Sequence, residues 1–188
     1  TTRLTDQQRE LVASFITPSA TPLSTPISTP LATPMKVQQA RTVTFRTMAS
    51  NNDEFLLSSV KAVSARYPLR GQLQISDQLY GQVTPASSGP APGPAWVEDR
   101  VLNELSLDLG SHITIGEVSF QITQVLVFEP DRGNNFYSFT PRIMIHLEDL
   151  DATAVIQPGS RVTFNYLFSG DKAFLKQFQS ELESKLQA

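Results

Sequence analysis

The sequence predicts an α+β fold with mixed or antiparallel sheets, and three features carry that expectation. Apolar and polar residues alternate with period two through much of residues 41–168, the pattern of half-buried strands. Near the C-terminus the period lengthens to four: Phe174, Phe178, Leu182 and Leu186 fall on one helical face. A Pro- and Gly-rich stretch at 81–94 divides the strand-like runs. A terminal helix after a series of strands packs across a sheet, which favours α+β over a doubly wound α/β fold.

Residues 1–16 read as a short helix, with Leu4, Leu11 and Phe15 near helical spacing and Thr5 in an N-cap region. Such a helix needs something to dock on. Residues 17–34 place a Thr-Pro pair every fourth residue, from Thr17-Pro18 to Thr33-Pro34. Proline at that spacing removes backbone donors and blocks the α region before it, so the tract is extended, near polyproline II. It reads as a semi-rigid spacer rather than a glycosylated stalk or recognition segment. Residues 1–40 are therefore set apart from a core domain at 41–188.

In that domain, residues 41–48 form a strand with Val43 and Phe45 on one face, and 51–53 turn the chain. Residues 55–67 fit helix or strand; Pro68 and Gly71 close the run quickly, which favours a strand at 58–65. Another strand follows at 72–76. The loop at 81–94 marks the boundary of a small β-rich subdomain at about 95–147. Asp99 is placed to cap a short helix ending near Leu105. Residues 111–115 and 118–128 pair through Gly116-Glu117, and strands follow at 137–147 and 161–168. In the last, Val162, Phe164, Tyr166 and Phe168 alternate with polar residues. The terminal helix spans 172–186, with Asp171 as N-cap, Leu175 widening the apolar stripe, and Glu181 and Lys185 as an i,i+4 pair.

Composition excludes several functions. A net charge of −3 without a basic face gives no footprint for nucleic acid. Cysteine is absent, which removes disulfide and thiolate chemistry. No run approaches the ~20 apolar residues of a membrane span. The chain opens at Thr1 without Met or a signal-peptide core, as expected of a processed protein or an excised piece of one.

Searches for catalytic patterns are negative. His112 and His146 lie in separate strand-like runs without metal-ligand spacing. G-x-S-x-G, the P-loop and G-x-G-x-x-G are absent, so neither a hydrolase elbow nor a nucleotide site is expected. Ser58-Ser-Val-Lys61 matches S-x-x-K, but S-D-N and K-T-G are missing, and a chance match is expected. Glu148, Asp149 and Asp151 lack calcium-loop spacing and read as a solvated turn. One charged, turn-rich loop stands out at 129–136. Asp131 and Arg132, with Phe136, Tyr137 and Phe139 beside them, are candidates to contact a partner or lipidic ligand. The same aromatics read equally well as the start of a buried strand. No catalytic, cofactor or metal residue is assigned, so the chain is expected to bind or transmit motion rather than catalyse.

Four stretches carry a family resemblance. They are Val60-Lys-Ala-Val63 leading to Tyr67-Pro-Leu-Arg-Gly71; Ala95 to Leu105 continuing through Leu107-Asp-Leu-Gly110 and Ile113-Thr-Ile-Gly116 into Phe120-Gln-Ile122; Glu129-Pro-Asp-Arg-Gly133 with Thr140-Pro-Arg-Ile-Met144; and Ile156 to Thr163. Together they resemble the periplasmic, MacB-type core domain of FtsX-like ABC transporter permeases, and the last two resemble its YbbP-like subgroup. The Thr-Pro tract is the main departure from that pattern. The resemblance implies a domain on the periplasmic side of the bacterial inner membrane, flanked by membrane helices, with ATP bound and hydrolysed on a separate cytoplasmic subunit. It also implies a lipid, lipoprotein or similar hydrophobic substrate, a periplasmic esterase-like partner, and mechanotransmission without catalysis in this domain. Two other readings compete: a free-standing extracytoplasmic binding or adhesion module with a Thr-Pro stalk, and a hydrolase using Ser58 and Lys61.

Overall fold

The computed structural model describes residues 38–51, 54–132 and 140–186. The expected helix at 1–16 and the Thr-Pro tract lie outside the described residues. Residues 38–169 form one compact unit, and the C-terminal helix belongs to a second, described by itself. The chain runs through β1 (Gln38–Asn51), β2 (Glu54–Val63), β3 (Leu73–Ser76), β4 (Thr84–Ala86) and β5 (Pro94–Val97). It continues through helix α1 (Asp99–Glu104), β6 (His112–Ile115), β7 (Val118–Phe128), β8 (Arg142–His146) and β9 (Val162–Ser169).

Two long strands organise the unit. One edge of β1 pairs with β2; its other edge is shared by β9 along Gln38–Phe45 and by β6 at Ala49 and Ser50. Similarly, one edge of β7 takes β5, while the other takes β6 near its start and β3 near its end. Strand β8 lies between β2 and β5, parallel to the first and antiparallel to the second. The pairings therefore close into a ring, β1–β2–β8–β5–β7–β6 and back to β1. Closure gives each of the six strands a partner on both sides over part of its length, so none of them is a free edge throughout.

Each ring strand sends alternate residues inward. Phe45, Val60, Ile143, Val97, Phe120 and Ile113, one from each strand, are all buried in the main core. Period two sends their neighbours outward, yet much of that outer face is also covered. Tyr67, Leu73, Trp96, Leu126 and Met144 make a second apolar cluster, with Leu69, Ile75 and Ala86 packed against it. Both faces of β8 and of β2 from Ser58 onward, where the two run parallel, are thus buried, as parallel neighbours usually are. Lys61, between inward Val60 and Ala62, consequently sits in a covered layer.

The expected mixed sheet is present, and the fold is richer in strand than anticipated. Of the strand expected at 58–65, residues 58–63 are strand, at the end of β2, and Ser64 and Ala65 lie beyond it. Strands at 41–48, 72–76, 111–115, 118–128 and 161–168 are all found within one to three residues of their expected ends. The loop 81–94 carries the short β4, and β5 and β8 are inserted between β7 and β2 in the common sheet. Of the strand expected at 137–147, residues 142–146 are strand, as β8, Leu147 opens a 3₁₀ turn, and 137–139 lie outside the described residues.

One expectation at α1 needs correction. The cap is Glu98, in extended conformation, and Asp99 lies one residue inside the helix. The Glu98 side chain makes no capping bond because its carboxylate is engaged elsewhere. The β6–β7 hairpin turns at Gly116, whose φ is +59°. There the turn lies against Thr153, whose carbonyl accepts the Glu117 N–H at 3.0 Å. A Cβ on Gly116 would overlap that carbonyl oxygen, so glycine is needed for space as well as for conformation.

In the second unit, α2 (Lys172–Leu186) begins as its sequence indicates. Asp171 accepts the Ala173 N–H on its carboxylate at 2.8 Å, and its carbonyl accepts the Leu175 N–H at 2.9 Å. Asp171 is therefore the N-cap.

Candidate functional site

The distinctive chemistry of the barrel is a buried knot of charged groups on its outer face, where β5 and β7 finish and β8 begins. Its members come from four strands and the turns that follow them. Strand β2 supplies Ser59 and Lys61, which share a face by period two. Tyr67 follows β2, Glu98 follows β5, Glu129 and the turn residues Asp131 and Arg132 follow β7, and Arg142 opens β8. Ser59 and Arg142 are register partners in the parallel β2–β8 pair.

Lys61 is 5% exposed, Glu129 4% and Arg142 8%. The Lys61 ammonium donates to Glu129 Oε1, to Asp131 Oδ1 at 2.8 Å and to the Tyr67 hydroxyl at 2.9 Å. It also sits 4.4 Å from the Tyr67 ring centroid, a cation–π distance. Tyr67 in turn donates to Asp131 Oδ1. The second Glu129 oxygen accepts Arg142 Nε at 3.1 Å, and Arg142 Nη1 donates to Ser59 Oγ at 2.6 Å. Glu98 completes the set. It accepts the Arg142 backbone N–H at 2.9 Å and pairs with the Arg132 guanidinium. Three cations thus meet three carboxylates, and no buried side-chain nitrogen or oxygen among the described residues lacks a partner. That balance lets charge sit in a covered layer, since an unpaired buried ion costs several kcal/mol.

The surroundings shift the titrating groups. Burial, then the Glu129 charge and the bond to Asp131, pushes the Tyr67 hydroxyl far above its ordinary range. At Asp131 burial pulls upward. The bonds from Lys61 and Tyr67 and the Lys61 charge outweigh it, and the carboxyl is held below its usual value. Burial, with Arg142 nearby, lowers Arg132. Beside the knot runs a groove of about 430 Å³, lined by Glu98, Arg132 and residues 126–130. Val127 and Phe128 on its wall are each half exposed.

Of the residues singled out from sequence, Asp131 and Arg132 are both in this knot, Asp131 on Lys61 and Tyr67, Arg132 on Glu98. Phe136, Tyr137 and Phe139 lie outside the described residues. Lys61 enters the sequence reading as half of the Ser58–Lys61 hydrolase alternative, and Tyr67, Glu98, Glu129 and Arg142 only as members of the stretches that carry the family resemblance. The available signal was a lysine at an outward position of a strand whose other neighbours are apolar. Lys61 and Ser58 do not form a dyad. They lie three apart, on opposite faces of β2, and Ser58 Oγ donates to the Leu56 carbonyl at 3.2 Å. His112 is exposed, while His146 is buried and accepts the Glu148 N–H on Nδ1. In the acidic turn, Asp149 accepts the Gly93 N–H, and Glu148 and Asp151 are exposed. Among the described residues no cluster of His, Asp or Glu could hold a metal ion, and no helix is long and apolar enough to cross a membrane.

A scan against protein-family models finds no match. Among curated proteins, 146 residues of the chain, 78% of it, are 34% identical to YbbP of Escherichia coli (strain K12), described as an uncharacterized ABC transporter permease. The chain spans 17% of that relative's length. By that identity and coverage, the chain belongs to the YbbP-like family of ABC transporter permeases.

Proposed function

We propose that this chain is an extracytoplasmic domain of an ABC transporter permease, coupling movement of membrane helices to the handling of a hydrophobic substrate or to a periplasmic partner. ATP is hydrolysed on a separate cytoplasmic subunit, and the domain is not a catalyst. A lipid, a lipoprotein or an esterase-like periplasmic protein is the class of molecule it works with, on the periplasmic side of the inner membrane.

The observation that best supports this reading is the pairing of Gln38 with Ser169 at the open end of the β1–β9 ladder. The polypeptide enters and leaves the barrel at one point, as a module inserted between two membrane helices must. Motion delivered there reaches a closed ring of strands whose interior is packed, so the barrel moves as a body rather than deforming strand by strand. About 30 Å further along β1, at 3.3 Å per residue, the β1–β2 hairpin exposes Met48, Phe55 and Leu57. Met48 and Leu57 are cross-strand partners, so they make one apolar surface at the end opposite the entry point. Such a surface suits a hydrophobic cargo or partner.

This chain contains no cysteine, so an introduced one reports on it alone once any cysteine elsewhere in the full-length permease has been replaced. Ser87, exposed in the β4–β5 loop, is replaced by Cys in a full-length permease cleared of its other cysteines. A membrane-impermeant maleimide then labels intact cells. Labelling that occurs only after the inner membrane is opened would place the domain in the cytoplasm and end the proposal. Recovery of the labelled protein free of the membrane would instead favour a free-standing module.

A further inference from the structure

A second polar groove lies at the end of the barrel where the chain enters and leaves, and nothing in the coupling role accounts for its chemistry. Its volume is about 610 Å³, within the range of small-molecule sites. Arg41 from β1 and Arg66 from the turn after β2 line it, as do Glu148 and Asp151 from the 3₁₀ turns after β8. All four are exposed, and no ion pair joins any of them among the described residues.

The groove also has a built component. His146 lines it while being only 5% exposed. Its Nδ1 accepts the Glu148 backbone N–H at 3.3 Å, which leaves the ring hydrogen on Nε2. That donor has no partner among the described residues, although no fully enclosed side-chain nitrogen or oxygen goes unsatisfied. The ring is therefore buried except for the edge it presents to the groove. Arginines and an imidazole N–H provide donors for an oxyanion; Glu148 and Asp151 provide acceptors for an ammonium. A simple anion would be opposed by the two carboxylates, and a simple cation by the two guanidiniums. A molecule carrying both charges meets neither penalty.

We infer that this groove binds a zwitterion in which a phosphate is linked by a short chain to an ammonium. The phosphate lies toward Arg41, Arg66 and His146 Nε2, and the ammonium toward Glu148 and Asp151. Such a group is the headgroup of an amine-bearing phospholipid or a soluble phosphoamine. The choice of a bilayer as its source rests on the proposed function. Arg41 is three residues from Gln38, about 10 Å along the strand, so the groove is at the end of the barrel from which the chain continues toward the flanking membrane helices.

Calorimetric titration of the intact chain with O-phosphoethanolamine tests the chemistry, with inorganic phosphate and ethanolamine as separate probes. The zwitterion is expected to bind at least tenfold tighter than either fragment. Losing one charge-assisted contact, through Arg41→Gln, Arg66→Gln or Glu148→Gln, should weaken it about tenfold, with the thermal midpoint unchanged. Glu148→Gln should in addition narrow the preference over phosphate. Phosphate binding as tightly as the zwitterion, or no binding of any probe, overturns the inference. Cosedimentation with phosphatidylethanolamine vesicles, against phosphatidylcholine vesicles, tests the source. Binding of the soluble zwitterion without preferential vesicle binding retains the site, assigns it to a soluble ligand, and removes the bilayer placement.

Discussion

Replacing Glu129 with Gln is the sharpest test of the buried charge knot, because it removes a charge while keeping the shape. The Glu129 side chain is 1% exposed and accepts from Lys61 on one oxygen and from Arg142 on the other. After the change, Lys61 retains Asp131, whose side chain is 43% exposed and so gives a screened partner. Arg142 retains only the neutral Ser59 hydroxyl and loses its carboxylate. Breaking a buried ion pair from one side costs about 3–5 kcal/mol. At roughly 3 °C per kcal/mol for a unit of this size, the thermal midpoint should fall by about 10 °C or more. Urea unfolding should show a lower midpoint with an unchanged slope. A cycle with Lys61→Met separates the pair from its surroundings. The double variant should be less destabilised than the sum of the singles by more than about 1 kcal/mol, since it no longer buries an orphaned ammonium. A Glu129→Gln midpoint within about 2 °C of the parent, or strictly additive singles, would show that the knot is solvated or absent.

The remaining predictions concern pH and a turn. Because the folded state holds the Tyr67 proton far above the ordinary tyrosine range, native protein keeps a proton that unfolded protein loses above pH ~10. Stability contributed by Tyr67 is thus complete below that pH and should decline by about 1.4 kcal/mol per unit above it. Alkaline urea titrations of Tyr67→Phe should lack that component, and identical slopes for the two proteins would refute it. Asp131 has the opposite sign: its lowered value contributes stability above the usual carboxylate range, lost as pH falls through the folded value. Asp131→Asn should therefore flatten the acid limb of a stability profile, and an unaltered limb would remove Asp131 from the knot. Gly116→Ala combines a left-handed backbone with overlap on the Thr153 carbonyl, so it should cost about 2 kcal/mol or more. Gly159→Ala, also at positive φ but with nothing within 4 Å, should cost less; equal shifts in midpoint would mean the hairpin is not seated on Thr153.

Much of the local architecture was legible in the residues themselves. Alternation in β1, β2, β7 and β9, glycine at the β6–β7 turn and Asp171 at the start of α2 each report on neighbours a few residues away. The turn after β7 also drew attention, because Asp131 and Arg132 are charges in a Pro- and Gly-marked loop. Their partners could not be read in the same way. Lys61 reaches Glu129 across 68 residues and Asp131 across 70, and Arg142 reaches Ser59 across 83. No spacing rule spans such separations. In sequence, Lys61 belonged to a stretch carrying the family resemblance and to an S-x-x-K pattern that a strand sends to opposite faces, and neither points to its partners.

By itself, then, the sequence determined which residues could be strand, turn or helix, because period, glycine placement and capping act within a few residues. It also carried enough identity to place the chain among YbbP-like permeases. Tertiary structure alone decided that β6 bridges β1 and β7 to close a ring, and that the outer face of that ring would be covered. That second decision turned an ordinary strand lysine into a buried ion. Once the layer carrying Tyr67 and Leu73 lies over β2, Lys61 has no water to face, and the carboxylates after β7 must come to it.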